Sequence, residues 1–146
     1  MILGIGVDSI EIERVAAKCS APNSTFMAKM FTEREIARSM RNSNSPYQHL
    51  AACFAAREAF FKATQVWYKR QHVSVTQHPW GEPYYLLSTE VAAQLEMHAP
   101  LQLDAEGAER RAGIRMLLSL THDQEYATAF AICEVVESGA PASPIQ

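Results

Sequence analysis

Hydrophobic and polar positions follow two clear periods in the first half of the chain. Residues 2–8 have the character of a buried strand, whose period of two places Gly4, Gly6 and Asp8 on one face. A strand face made of glycines lets another element approach its backbone closely. Residues 50–66 form the longest helical pattern and are apolar nearly all round, so they predict a central helix.

The other segments predict shorter elements separated by polar turns. Thr32, followed by Glu35 three residues later, has the pattern of a capping box, and Ser9 and Ser88 are residues that favour the N-cap. One strand, several helices and then mostly strands indicate an α+β fold in a single domain, residues 1–136, before a flexible tail at 137–146. The predicted elements are helices at about 10–18, 25–30 and from 33 onward, a hairpin at 72–76 and 84–87, a helix at about 89–97, a loop at 99–112, and strands at 114–120 and 126–135.

Composition narrows the class of protein. The 146 residues are 48% hydrophobic and 20% charged, as is typical of one globular domain. The first apolar stretch meets acidic residues at once, which is not typical of a signal peptide, and no apolar run is long enough to cross a bilayer. The net charge of -3 argues against nucleic-acid binding. Three cysteines without metal-ligand spacing indicate reduced thiols, so we expect a cytoplasmic protein. From the apolar runs and the net charge, we expect that it binds neither membrane nor nucleic acid.

Basic residues occur in two stripes at helical spacing. Arg34, Arg38 and Arg41 follow the i, i+4, i+7 pattern, and Arg14 and Lys18 form an i, i+4 pair. Stripes of this kind are most often solvated helix faces. If the two stripes adjoin, they suit an acidic protein surface better than a nucleic-acid duplex.

Four residues are candidates for chemistry, and each has a structural alternative. Asp8 either caps the helix that follows it or binds a hard cation through oxygen. Glu58 lies in an apolar helix, where a buried carboxylate must be neutralised, paired or bound to metal. Lys62 is one helical turn later, so it either pairs with Glu58 or faces phosphate oxygens. His122 follows a predicted strand, where a single histidine is more often a surface or capping residue.

Several segments, taken in order, match a known family. GIGVDSIEIERV opens the chain, FTEREIA lies in the second helical region, and FAAREAFFKAT lies in the predicted central helix. The turns GEP and SLTHD follow. Over roughly residues 1–136 these segments resemble the short, holo-[acyl-carrier-protein] synthase branch of the phosphopantetheinyl transferases. The resemblance implies the fold of that family, a small antiparallel sheet packed around a long central helix.

The resemblance also implies an activity. Family members transfer the 4'-phosphopantetheine group of coenzyme A to a serine of an apo-acyl carrier protein and release 3',5'-ADP. It implies Mg2+ as cofactor, coenzyme A as co-substrate, an acidic acyl carrier protein as partner, and a homotrimer whose active sites are shared between neighbouring subunits. The general base stays open between a water near Asp8 and Glu58 itself.

Single residues receive roles only through the resemblance, position by position. The residues concerned match the family's motifs at the strand, the central helix and the two turns. The resemblance assigns catalysis to Asp8, Glu58 and Lys62; magnesium to Asp8, Glu58 and, through water, Glu35; coenzyme binding to Lys62, Gly81, Pro83, His122 and Arg57; and carrier-protein docking to Arg14 and Lys18.

This chain departs from the family pattern on the coenzyme side. Arg57 stands where members usually have lysine, and Thr121 replaces a serine. Residues 64–68 contain no glycine, although members usually have a glycine-rich turn there, and this favours a longer helix. Residues 99–112 do not align. Two other functions stay open: a catalytically impaired member that binds carrier proteins, and an unrelated α+β enzyme that acts on another magnesium-bound pyrophosphate.

Overall fold

The computed structural model describes residues 1–41, 44–103 and 108–136. In these residues, helices and strands alternate in the α+β order that the sequence predicts, and the hairpin is present. The elements are β1 (Ile2–Glu11), α1 (Ile12–Ser20), α2 (Phe26–Met30), α3 (Glu33–Met40), α4 (Pro46–Thr64), a 3-10 turn (Arg70–His72), β2 (Val73–Gln77), β3 (Pro83–Leu87), α5 (Thr89–His98), β4 (Leu101–Leu103), β5 (Glu109–Arg111), β6 (Gly113–His122) and β7 (Tyr126–Val136).

Strand β1 lies directly on helix α4 because its glycines leave room for the helix backbone. A Cβ atom on Gly6 would lie 1.9 Å from the carbonyl oxygen of Ala59, and one on Gly4 would lie 2.0 Å from that of Ala63. A later strand residue meets an earlier helical turn, so strand and helix run in opposite directions. The neighbouring strand also presents small buried residues to the helix, namely Ala127, Ala129, Ala131 and Cys133.

The main sheet has the antiparallel strand order β1-β7-β6. In its register, Asp8 pairs with Ala129, which pairs on its other side with Leu120. The sheet packed around α4 confirms the predicted fold class. Two further pairs, β2-β3 and β4-β5, lie outside this sheet. No helix of the described residues is long and apolar enough to cross a membrane.

The first strand is longer than predicted, and Ser9 is not a helix cap. Strand pairing continues from Ser9 opposite Thr128 to Glu11 opposite Tyr126, so α1 begins only at Ile12. The hydroxyl of Ser9 is 2.8 Å from that of Thr128, which satisfies it within the sheet. Long-range pairing therefore overrides the local capping preference.

Helix α4 begins earlier and ends earlier than the sequence pattern indicates. Pro46 starts the helix, because proline lacks only an N–H that the first turn leaves unpaired. At the other end Gln65 adopts a left-handed conformation, with φ of 57°, and its N–H donates to the carbonyl of Phe61 at 2.7 Å. The helix therefore ends at Thr64 without a glycine, rather than continuing.

The predicted loop at 99–112 contains two short strands. β4 and β5 pair over three residues each, and Arg111 donates to the carbonyls of Met97 at 2.9 Å and Ala99 at 3.1 Å. The sequence pattern did not predict these strands, because the charged side chains of this segment are largely exposed and give no hydrophobic alternation. Residues 104–107 and the predicted tail at 137–146 lie outside the described residues.

Glu35 is a core residue that closes the predicted capping box. Its backbone N–H donates to the hydroxyl of Thr32 at 3.3 Å, and its Oε2 accepts from the N–H of Thr32 at 2.9 Å. Its other oxygen accepts from the N–H of Val75 in β2 at 2.9 Å, and the side chain is 1% exposed. These contacts make Glu35 join α3 to β2, and its contact with metal through water stays a prediction.

Arg57 is the buried partner of Glu35. Its guanidinium donates to Glu35 and, through Nε, to the carbonyls of Val73 at 2.7 Å and Arg70 at 3.1 Å. The side chain is 2% exposed, and its contact with the coenzyme stays a prediction. A buried pair of this kind is tolerated only because its remaining hydrogen bonds are made.

The close approach of β1 to α4 leads to a stability prediction. We expect Gly6→Ala to lower the free energy of unfolding by at least about 2 kcal/mol, because the added methyl meets backbone that cannot move alone. Gly113→Ala is the matched control, since its methyl would lie 2.9 Å from a side-chain carbon of Val136 rather than against backbone, and we expect a smaller loss. Urea unfolding followed by circular dichroism measures both, and equal losses in the two variants would contradict the prediction.

Candidate active site

Asp8 is held beside α4 by a lysine from that helix. Its Oδ1 accepts from Nζ of Lys62 at 2.8 Å, and the same ammonium donates to the carbonyl of Val7 at 2.7 Å. Because β1 continues three residues past Asp8, the carboxylate caps no helix. The interpretation of Asp8 as a helix cap is therefore wrong. Its carboxylate is partly exposed and pairs with Lys62.

Glu58 lies one helical turn before Lys62 but pairs with a different residue. Its Oε1 is 3.9 Å from NH1 of Arg70, and the two side chains are 36% and 45% exposed. Among the described residues, no ion pair joins Glu58 to Lys62. Sequence spacing could not identify Arg70, because this contact crosses from the 3-10 turn to the helix rather than repeating along one element.

Asp8 and Glu58 face the same region of the molecule. Gly6 contacts the turn of Ala59, and the opposed directions of strand and helix bring Asp8 alongside the preceding turns of α4. Lys62 contacts Asp8 and lies on the same helix face as Glu58, which places the two carboxylates on the same side of α4.

The donor set fits a magnesium ion. No group of three or more histidine, cysteine, aspartate or glutamate side chains suited to a metal occurs within residues 1–41, 44–103 and 108–136. Two carboxylates are instead the donors that magnesium commonly takes from a protein when substrate phosphates complete its shell. Neighbouring cations, Lys62 and Arg70, suit those phosphates.

A cavity of about 230 Å³ adjoins Glu58. Phe61, Trp67, Tyr68 and Arg70 form the rest of its lining, and the rings of Phe61 and Trp67 are 4.7 Å apart. Trp67 is 79% exposed, whereas the Tyr68 hydroxyl donates to the carbonyl of Arg57 at 2.7 Å and burial raises its pKa. Aromatic residues therefore occupy the place where the family usually has a glycine-rich turn.

The other predicted coenzyme residues lie on the α3 side of the molecule. His122 ends β6 and is exposed. It lies near His49 and Arg38, because burial lowers the pKa of His49 and the charges of Arg38 and His122 lower it further. Gly81 lies in the β2-β3 turn, where it has a φ of 97°, and Pro83 is the first residue of β3. No described contact joins these three residues to Asp8 or Glu58.

The arginine stripe lies on this same side. Arg34, Arg38 and Arg41 line an open cavity of about 740 Å³, so the predicted helix face exists. The guanidinium of Arg38 donates to the side chain of Gln77 at the end of β2. The basic face of α3 therefore extends to the β2-β3 hairpin.

The basic pair of α1 borders a small groove. Arg14 and Lys18 line it together with Phe26 and Phe54, and its volume is about 60 Å³. The ammonium of Lys18 lies 5.3 Å from the ring centre of Phe26. Phe54 also contacts Arg70, whose guanidinium lies 5.9 Å from the centre of the Phe54 ring. The groove and the Glu58 cavity are therefore neighbours.

Comparison with known proteins identifies the family. The family model of the 4'-phosphopantetheinyl transferase superfamily matches residues 4–131. Holo-[acyl-carrier-protein] synthase from Nitrobacter hamburgensis is 32% identical, covering 95% of this chain and 99% of its own; that from Desulforudis audaxviator is 35% identical, covering 90% and 92%. The ACPS-CoA complex of Chronobacterium ammoniagenes is similar in structure, with a TM-score of 0.71, 28% identity, and coverage of 92% and 98%. The chain thus belongs to the 4'-phosphopantetheinyl transferase superfamily, in its holo-[acyl-carrier-protein] synthase family.

Proposed function

We propose that this protein transfers 4'-phosphopantetheine from coenzyme A to a serine of an apo-acyl carrier protein, releases 3',5'-ADP and requires magnesium. The observation that carries the proposal is the position of Asp8 and Glu58 on one side of β1 and α4, each beside a basic residue. Similar proteins named holo-[acyl-carrier-protein] synthase, and structures of such synthases with coenzyme A, support it. The three free cysteines agree with a cytoplasmic site of action.

The proposed roles follow from these contacts. Asp8 and Glu58 would hold the magnesium ion, which would supply neutralisation of the charge that grows on the diphosphate during transfer. Lys62, restrained by the carbonyl of Val7, presents its ammonium to phosphate oxygens. The serine hydroxyl forms a bond to the β-phosphorus, the bond from that phosphorus to the bridging oxygen breaks, and the oxygen leaves with 3',5'-ADP. Glu58, partly exposed beside the aromatic cavity, is a candidate to take the serine proton.

Intact-mass spectrometry of an apo-carrier protein, incubated with coenzyme A and magnesium, tests the reaction. We expect the mass to rise by one phosphopantetheine with the wild type. Asp8→Asn and Glu58→Gln should each slow the transfer at least about 100-fold, because each removes a charged donor to the metal. Glu96→Gln changes an exposed glutamate of α5 and is the control.

The results of this assay distinguish an active transferase from a catalytically impaired binding module. Carrier protein that binds the wild type but gains no mass would indicate the impaired binding module and contradict the proposed enzyme. Rates for both carboxylate variants equal to that of Glu96→Gln would contradict the proposed metal site.

The carrier protein, we propose, docks on the groove bordered by Arg14 and Lys18. The groove combines an apolar floor of Phe26 and Phe54 with a basic rim, which suits an acidic helix carrying an apolar stripe. Because Phe54 also contacts Arg70, a serine near the end of such a helix arrives close to Glu58. Arg34, Arg38 and Arg41 add steering at longer range.

Charge reversal in this groove tests the docking surface. We expect Arg14→Glu to raise KM for the carrier protein at least about tenfold, because attraction becomes repulsion at a desolvated contact. Added salt should raise the same KM for the wild type. KM for coenzyme A is the internal control and should stay within about twofold. A carrier-protein KM that neither treatment moves would exclude this groove.

The outer face of the main sheet supports the proposed homotrimer. Ile5 is opposite Ile132, and Ile132 is opposite Leu117; Val7 is opposite Phe130. The side chain of Ile5 is 55% exposed, and most of its apolar neighbours on this face are also exposed. A contiguous exposed apolar face is typical of a protein–protein interface.

Analytical ultracentrifugation tests the assembly. We expect the wild type to sediment as a trimer and Ile5→Glu to sediment as a smaller species with lower activity, because the substitution buries a charge in an apolar interface. Leu103→Glu is the matched control, since Leu103 is an exposed leucine of β4 away from the main sheet. A trimer that survives Ile5→Glu unchanged would show that this face is not the interface.

A further inference from the structure

Arg70 has a backbone held by hydrogen bonds and a partly exposed side chain that lies over the ring of Phe54. Its carbonyl accepts from Nε of the buried Arg57 at 3.1 Å, and His72 closes the 3-10 turn by donating to Lys69 at 2.7 Å. The guanidinium, in contrast, is 45% exposed and lies 3.9 Å from Glu58. An ion pair of that length and exposure contributes little free energy, so it exchanges readily.

Arg70 also lines the cavity that adjoins Glu58. Both residues border the space of about 230 Å³ whose other walls are Phe61, Trp67 and Tyr68. A guanidinium anchored at this wall needs only side-chain rotation to pass from the carboxylate to an anion bound next to it. Its planar fork of donors suits phosphate oxygens well.

Charge balance at the site gives this exchange a direction. Asp8 with Lys62, and Glu58 with Arg70, are two neutral pairs. A divalent cation bound by both carboxylates takes over their charge, which leaves Lys62 and Arg70 to face the negative charges of a diphosphate. The sequence resemblance assigns such a role to Lys62 but none to Arg70.

Resting on the proposed function, we propose that Arg70 is a second diphosphate-binding residue, which competes with the divalent cation for Glu58 and binds the coenzyme A diphosphate once that cation is bound. Arg70 therefore opposes metal binding by the protein alone and favours coenzyme binding in the presence of metal. A residue with a merely structural role would not give effects of opposite sign.

Two binding measurements on the full chain test this inference. Mn2+ binding to the protein alone is followed by electron paramagnetic resonance of the free ion, and coenzyme A binding with magnesium is followed by calorimetry. For Arg70→Ala we expect Mn2+ affinity to rise about two- to fivefold, since a weak competing pair is lost. Coenzyme A affinity should fall at least about tenfold, since a charge-assisted hydrogen bond is lost.

Lys69→Ala and Arg70→Lys complete the design. Lys69→Ala removes the same charge from an adjacent exposed residue and should leave both affinities within about twofold. Arg70→Lys should restore most of the competition with Mn2+ but only part of the coenzyme affinity, because lysine lacks the planar fork. Unchanged affinities in Arg70→Ala, or two losses, would overturn the inference. If Glu58→Gln leaves Mn2+ affinity unchanged, the proposed metal site fails instead, which separates the two failures.

Discussion

The contact between the backbones of β1 and α4 determines where the candidate site lies. Gly4 and Gly6 bring the strand so close to Ala59 and Ala63 that even one methyl group would meet a carbonyl oxygen. At this separation, the next strand residue that points to the helix is Asp8. Its carboxylate is therefore within reach of the helix's own charged side chains, and a wider spacing filled by larger residues would separate them.

The charges at this contact are arranged for exchange, whereas those in the core are fixed. Glu35 and Arg57 are buried, and their polar atoms bond to backbone of β2, the 3-10 turn and α4. Asp8 and Glu58 each have one basic partner and remain partly exposed. Burial therefore distinguishes the ion pair of Glu35 and Arg57, which holds the core together, from the two partly exposed carboxylates that are the proposed cation ligands.

The sequence predicts elements wherever local chemistry and periodicity agree. The glycine face of β1, the capping box at Thr32 and the β2-β3 hairpin are present as expected. Predictions fail where distant contacts decide: strand pairing removes Ser9 from a cap, and Gln65 ends α4 in a conformation that sequence statistics assign to glycine. The burial of Arg57 and the contact of Arg70 with Glu58 depend on tertiary structure, so no spacing reveals them.

The main sheet relates the predicted coenzyme residue His122 to Asp8. Asp8 is opposite Ala129, which is opposite Leu120, and His122 follows Leu120 by two residues. The period of two of a strand therefore places His122 on the face of the sheet that carries Asp8. Lys62 reaches this same face from α4. The opposite face carries the exposed apolar residues around Ile5, which the proposed assembly would cover. The alternation of side chains along three strands thus separates the candidate site from the proposed subunit interface.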